Sequence, residues 1–125
     1  MVGGWTGRFA DVVEVGAARF EALVVEALDG IPEELGRRMD NVVVQVRDKA
    51  RDPHLLGLYQ GIPLTERDTY GGLAMPDRIT IYRLPICALS ADEDEVVDQV
   101  RITVIHEVAH HFGIDDDRLD ELGWA

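Results

Sequence analysis

The stretch from Ser90 to Phe112 constrains the fold more than any other part of this 125-residue chain. Ser90, followed three residues later by Glu93, indicates a capping box, and the acidic residues beside it suit the positive end of a helix dipole. A helix from there to Phe112 has about 22 residues and a length of roughly 33 Å. From Ile102 onward nearly every side chain outside one short motif is apolar, on all faces, which predicts a helix buried among other elements.

That motif is HExxH, two histidines four residues apart with a glutamate directly after the first. Helical spacing puts His106 and His110 on one face, one turn apart, where both imidazoles can reach the same zinc ion. Glu107 lies about 100° round the helix, off the histidine face but able to hold the water that the metal activates. A shuffled chain of this composition, with its 4 His, is expected to contain the pattern only roughly 0.01 times. The motif therefore predicts a zinc site of the peptidase kind.

A zinc site of this kind needs a third protein ligand, and three aspartates follow the motif. Gly113 can take the left-handed conformation that ends a helix, so the chain can turn back toward the metal there. Counted from the first histidine, the pattern is HExxHxxGxxD, which favours Asp116 as the ligand. Asp115 is better placed to cap a following helix, and Asp117 should point away from the metal. Both neighbours stay open as alternatives to Asp116.

Two histidines, a carboxylate and water leave the open position of a catalytic zinc, whereas structural zinc sites are usually closed by cysteines. Glu107 is then the expected general base, which takes a proton from the zinc-activated water and returns it to the leaving amine. His111 lies outside the ligand set by spacing, and we expect it to pack or hydrogen-bond beside the site. The sequence does not select the group that stabilises the oxyanion. The candidates are Tyr59, Tyr70, Tyr82 and Arg118.

Composition limits the classes of partner and of location. A net charge of −12 excludes nucleic acid, since phosphate contacts need a basic face, and it disfavours an anionic membrane surface. No apolar signal core and no long apolar run occur, which predicts a cytoplasmic protein that does not enter membranes. The one cysteine, Cys87, excludes an internal disulfide framework and should be a small buried hydrophobe. The length predicts a single domain over 1–125, with an oligomeric state that stays open.

Hydrophobic periodicity predicts two further helices. Apolar residues at helical spacing indicate an amphipathic helix over 9–28, which an Asp-Gly pair ends, and Pro32 can then begin a short helical turn. A last helix is predicted over 116–122, ending at Gly123.

Three stretches predict strands. Residues 41–47 are rich in β-branched side chains, and residues 55–59 fit a short strand. Residues 77–83 alternate polar and apolar side chains, which predicts a half-exposed strand at an edge of the sheet. An exposed edge can add an extended peptide through main-chain hydrogen bonds.

The chain also resembles a known family, on four stretches: LDGIPEEL, LLGLYQGIPLTER, PDRITIYRLPI and HEVAHHFGIDDDRLDELGW. They are similar to the small bacterial zincin-like metallopeptidases that carry HExxHHFGxxD, a minimal relative of the zincins. The similarity covers roughly residues 20–124. It implies a compact α+β fold of the minimal zincin kind, in which a short mixed sheet packs on a long N-terminal helix and a buried active-site helix.

By matching positions, the resemblance implies that His106, His110 and Asp116 bind one Zn²⁺ per chain and that Glu107 is the base. It also implies that residues 79–83 lie beside the scissile bond. The expected function is zinc-dependent hydrolysis of peptide bonds in a peptide or protein substrate. At this size we expect no second domain that could form the other wall of a substrate cleft. The alternative is therefore a zincin-shaped metal-binding or protein-interaction module with little or no turnover.

Overall fold

The computed structural model describes residues 14–61 and 76–124, which form helices and a three-stranded mixed sheet. The predicted α+β class is confirmed. Among these residues no helix is both long and apolar enough to cross a membrane. In chain order the elements are α1 (Ala17–Asp29), α2 (Glu33–Arg37), β1 (Val42–Arg47), β2 (Gly57–Gln60), β3 (Asp77–Tyr82), α3 (Arg83–Ala88), α4 (Glu93–His111) and α5 (Asp116–Leu122).

The sheet has the order β1-β3-β2. Strand β1 runs parallel to β3, with Val42 opposite Asp77, and β2 runs antiparallel to β3, with Gly57 opposite Ile81. Within the sheet that the described residues form, β3 is therefore the central strand. The prediction that residues 77–83 form a sheet edge is wrong.

The alternation of polar and apolar side chains in β3 does not reflect exposure, because Thr80 and Tyr82 are buried whereas Arg78 is exposed. The hydroxyl of Thr80 accepts a hydrogen bond from Gln45 Nε2 at 2.8 Å, and Tyr82 is only 9% exposed. Arg83 already belongs to α3, and its guanidinium donates to Asp48 and to Val15 O. A central strand cannot add a peptide, so the expected docking of substrate along residues 79–83 is also wrong.

Helix α1 is shorter than predicted. It begins at Ala17, after the extended residue Gly16, and residues 14–16 are not helical. The part of the prediction over 9–13 lies outside the described residues. One face of α1 enters the core, against α4, through Phe20, Leu23, Val24 and Ala27.

Helix α4 joins the helical layer to the sheet, because it packs against α1 on one side and against β2 and β3 on the other. Its predicted start at a Ser90–Glu93 capping box is wrong, since the N-cap is Asp92, whose carboxylate accepts from the amide of Glu95 at 2.9 Å. The Ser90 hydroxyl instead donates to Ile86 O at the end of α3. Serine and aspartate cap helices about equally well, but the bond to Ile86 O engages the Ser90 hydroxyl and leaves the cap to Asp92.

The turns that close the chain match their predictions. Gly113 has a φ of 80° and lies two residues after the end of α4, and Gly123 has a φ of 75° at the end of α5. Asp115 caps α5 by accepting from the amide of Arg118 at 2.9 Å. The short α2 begins after Pro32, as its sequence indicates. The turn at Gly113 carries the chain past the end of α4 and sets α5 beside the HExxH motif.

Candidate active site

The last turns of α4 carry the motif, and they are open on one side. Thr103, Val104 and Val108 face the core, whereas His106 and Glu107 are half-buried. The side chain of His110 is 48% exposed. The prediction that this helix is buried on all faces is therefore wrong for its C-terminal end. The motif lies at the surface, where a substrate can reach it.

The structure brings two of the three predicted metal ligands into contact. His110 Nε2 lies 2.9 Å from Asp116 Oδ1, across the turn at Gly113. The rings of His106 and His110 are one helical turn apart, with centroids 5.7 Å from each other and planes tilted by 48°. In the part of the chain that the structure describes, no three His, Cys, Asp or Glu side chains are gathered closely enough to form a metal-binding group.

The residues nevertheless fit zinc by the chemistry of their donors. Two imidazoles and one carboxylate are the protein ligands of many catalytic zinc sites. Asp115, the main alternative to Asp116, already uses Oδ1 to cap α5. Asp116 lies in the first turn of that short helix and its carboxylate faces His110. The ligand set His106, His110 and Asp116 stays a prediction. For the third ligand, this arrangement favours Asp116 over Asp115.

Glu107 is bound by strand β2. Its Oε1 accepts a hydrogen bond from the backbone amide of Tyr59 at 2.9 Å, in a half-buried contact. Glu107 thus contacts β2, whereas His110 contacts Asp116 of α5. Its role as the general base remains a prediction.

A pocket of about 220 Å³ opens beside the motif. His106 and Glu107 form one wall, and most of the remaining lining is apolar. Gly57 and Thr103 are packed closely in its lining, since a Cβ added at Gly57 would lie 2.6 Å from Thr103 Cγ2. The other lining residues are Leu55, Leu56 and Ile102.

Sequence reasoning missed a cluster of side chains next to Glu107. The Tyr59 hydroxyl donates to Asp77 Oδ2 at 2.7 Å, and the ring of His111 stacks on Tyr59 with centroids 3.9 Å apart. Phe112 meets both rings edge-on, and the Arg38 guanidinium lies 5.3 Å from the Phe112 centroid.

The expectation that His111 packs beside the site is confirmed. No local sequence signal joins positions 59, 77 and 111, because only the tertiary fold brings them together.

The structure does not select an oxyanion-stabilising residue among the four sequence candidates. Tyr82 is buried, Arg118 pairs with Glu121 at 2.9 Å, and the Tyr59 hydroxyl is engaged by Asp77. Tyr70 lies outside the described residues. The predicted small buried hydrophobe Cys87 is buried, and burial raises the pKa of its thiol.

Comparison with known proteins shows a family and similarity to solved structures. The family described as zincin-like metallopeptidase matches residues 39–124. Among solved structures, the chain is similar to a conserved hypothetical protein from Thermus thermophilus, with 22% identity and a TM-score of 0.50. That likeness covers 86% of this chain and 97% of the other, and at this identity it bears on the fold alone. No curated protein matches the chain.

Proposed function

Because the chain belongs to the zincin-like metallopeptidase family, we propose that it hydrolyses peptide bonds with the help of one zinc ion. The observation that carries this proposal is the contact between His110 Nε2 and Asp116 Oδ1 at 2.9 Å. It sets two donors of the predicted zinc site side by side, one at the exposed end of α4, which also bears Glu107, and the other in the first turn of α5. Family membership supports zinc and peptidase chemistry in general, and the residue roles are our inference.

In this proposal His106, His110 and Asp116 would hold the ion. When bound, zinc supplies a Lewis acid that polarises a carbonyl and makes water a nucleophile near neutral pH. Glu107 acts as the base: the Tyr59 amide holds Oε1, and Oε2 takes the proton from the attacking water and passes it to the leaving amine.

The pocket beside the motif suggests how a peptide or protein substrate would bind. Its volume of about 220 Å³ and its mostly apolar walls suit one apolar side chain next to the scissile bond. Leu56, just before β2, and Ile102 of α4 both line this pocket, so the proposal predicts a preference for apolar side chains in the substrate. The cytoplasmic location expected from the sequence stays a prediction.

A metal-binding or protein-interaction module with little turnover is the second candidate. The observation that favours it is the bond between Glu107 and the Tyr59 amide, which engages one oxygen of the expected base. Such a module would bind zinc and peptide without cleaving the peptide.

The deciding experiment measures metal content and then turnover. Protein purified without added metal should carry zinc, or take it up at one equivalent per chain, and should then cleave members of a mixed peptide library. The matched control is Glu107→Gln, which should keep zinc and fold while losing at least ~10²-fold in rate. Zinc-loaded wild type that cleaves no better than this variant would favour the binding module. Loss of zinc in the variant would make Glu107 a ligand.

A further inference from the structure

The ladder between β2 and β3 fixes which backbone groups of β2 face outward. The amide of Tyr82 donates to Leu56 O at 2.9 Å, so these two residues form a hydrogen-bonded pair. Bonded and non-bonded pairs alternate along an antiparallel ladder, and Tyr59, opposite Ile79, lies three places further on. Tyr59 is therefore at a non-bonded position, and its amide points away from β3.

Helix α4 supplies the acceptor for this outward amide. Glu107 Oε1 lies 2.9 Å from Tyr59 N, so a carboxylate takes the place of a neighbouring strand's carbonyl. A hydrogen bond to an ionised acceptor is stronger than one between neutral groups. The bond fixes the rotation of the carboxylate and leaves Oε2 as the oxygen that can exchange a proton.

The side chain of Tyr59 is held on two sides, by residues from two other elements. Its hydroxyl donates to Asp77 Oδ2, on a carboxylate that is only 15% exposed, at the start of β3. The ring of His111, at the end of α4, lies nearly parallel to it, with a 21° angle between the planes. Gly61 leaves room for this imidazole, because a Cβ there would lie 3.3 Å from His111 Cε1.

We propose that Tyr59 is a positioning residue for Glu107, and that Asp77 and His111 hold its side chain so that its amide meets the carboxylate. The cluster ties β2, β3 and the end of α4 into one unit. The effect on catalysis rests on the proposed function. If Glu107 is the general base, displacing it by about 1 Å should lower the rate of hydrolysis strongly. The positional link itself does not depend on turnover.

Amide hydrogen exchange in the zinc-free protein, followed by NMR, tests the positional link directly. Glu107→Ala should speed exchange at residue 59 by at least ~10-fold, because it removes a charge-assisted acceptor. Tyr59→Phe keeps the stacked ring but loses the bond to Asp77, and it should speed the same amide by at least ~3-fold. Asp77→Ala should act like Tyr59→Phe, whereas Asp77→Asn keeps an acceptor oxygen and should stay near wild type.

A control variant separates this local effect from a general loss of stability. Gln45→Met removes another half-buried hydrogen bond of the sheet, the one to Thr80, and should leave exchange at residue 59 unchanged. Urea unfolding of every variant shows whether it is folded. Unchanged exchange in Glu107→Ala would show that the bond is absent. Unchanged exchange in both Tyr59→Phe and Asp77→Ala would show that the cluster does not position the amide.

Kinetics of the zinc-loaded protein test the catalytic consequence. On the best-cleaved peptide, Tyr59→Phe should lower kcat by about tenfold while KM and zinc affinity stay as in wild type. A change in KM alone, or an unchanged kcat, would overturn the role of Tyr59 in hydrolysis. If wild type cleaves nothing but the exchange pattern holds, the proposed function fails and the link between Tyr59 and Glu107 stands.

Discussion

The beginning of helix α4 is anchored by caps and core packing, whereas its end is open to solvent and is held by contacts from distant parts of the chain. At the beginning, the carboxylate of Asp92 caps the helix, and Arg19 of α1 donates three hydrogen bonds to Glu93, at 2.7 to 3.2 Å. At the end, His110 is half exposed, and the bond that holds Glu107 comes from Tyr59 in β2. One helix therefore combines an anchor with an accessible site.

This difference indicates which side chains of α4 govern the free energy of unfolding and which govern metal binding. Val96, Val100 and Val104 are fully buried, one turn after another, along the first part of the helix. Burial of such side chains stabilises the fold, whereas a half-exposed histidine contributes little to it. Variants of the beginning should change the free energy of unfolding and leave metal binding alone. Variants of the exposed side chains at the end should do the reverse.

The largest effect is expected from removing a metal ligand. His106→Ala, His110→Ala and Asp116→Ala should each weaken zinc binding by at least ~10², because each removes a direct ligand and not merely an outer partner. Competition with a chromogenic chelator measures the affinity. Urea unfolding of the zinc-free His110→Ala and Asp116→Ala variants should stay close to wild type, since both side chains are largely exposed.

Asp115→Asn is the matched control for the third ligand. Asparagine caps helices as well as aspartate does, so α5 should keep its N-cap bond to the Arg118 amide. Zinc affinity should then remain near wild type. A larger loss in Asp115→Asn than in Asp116→Ala would move the third ligand to Asp115. In that case the contact between His110 and Asp116 would be only a surface pair.

The next effect concerns the anchor. Val100→Ala deletes two methyl groups from a fully buried position and should lower the free energy of unfolding by about 1–3 kcal/mol. Zinc affinity of the folded variant should be unchanged. Val25→Ala, at a position that is 61% exposed, is the control and should change stability by less than about 0.5 kcal/mol. A loss of zinc affinity in Val100→Ala would show that the two ends of α4 are coupled.

Gly57 lies where the anchored and open parts of α4 meet the sheet. A Cβ at this position would lie 2.6 Å from Thr103 Cγ2 and 3.2 Å from Thr80 O, so Gly57→Ala should push β2 away from α4. We expect a cost of about 1–2 kcal/mol in the free energy of unfolding, typical of overpacking. Thr103→Ser removes the clashing methyl group, so the double variant should recover part of that cost. No recovery would place the strain at Thr80 O instead.

The anchor was largely predictable from sequence because its signals are local. Apolar residues at helical spacing predicted α1, and a capping signal followed by an apolar stretch predicted α4. Beyond the anchor, the turns at Gly113 and Gly123 also followed from a local signal, glycine's freedom at positive φ. The start of α4 was placed at Ser90 instead of Asp92, because both residue types cap helices and the bond that engages the Ser90 hydroxyl is not visible in the sequence. The position of β3 was missed for a similar reason. Pairing partners are non-local, and the hydrogen bond from Gln45 to Thr80 cannot be seen from alternation along one strand.

Only the part of the site that lies on α4 and in the turn after it was predictable from sequence. Spacing of four placed His106 and His110 on one face, and the glycine turn brought Asp116 toward them. The contacts of Glu107 were not predictable, since its partner Tyr59 is 48 residues away and binds through the backbone. A hydrogen bond from a backbone amide does not require a particular residue type, so the sequence gives no signal of it. Tyr59 was considered only for its hydroxyl, which the structure shows bonded to Asp77.

The smallest effect is expected from the ion pair that joins α1 to the first turn of α4. Hydrogen bonds from Arg19 lower the pKa of Glu93 below its ordinary value of 4.5. Because the folded-state pKa is depressed, the pair stabilises the fold above the unfolded pKa, and this contribution is lost as pH falls through the folded pKa. Both side chains are exposed, at 57% and 43%, so solvent screens the pair strongly.

We expect Arg19→Met to lower the free energy of unfolding slightly near pH ~7, and this difference from wild type to shrink toward zero below pH ~4. Urea unfolding across pH measures it, and about 0.5 M NaCl should reduce it at neutral pH. Arg37→Met is the matched control, since Arg37 lies 3.5 Å from Glu33 with both side chains more exposed, and its effect should be smaller still. A difference that persists at acid pH would mean that Arg19 acts through its aliphatic stem. The anchor at the beginning of α4 would then depend on apolar packing rather than on charge.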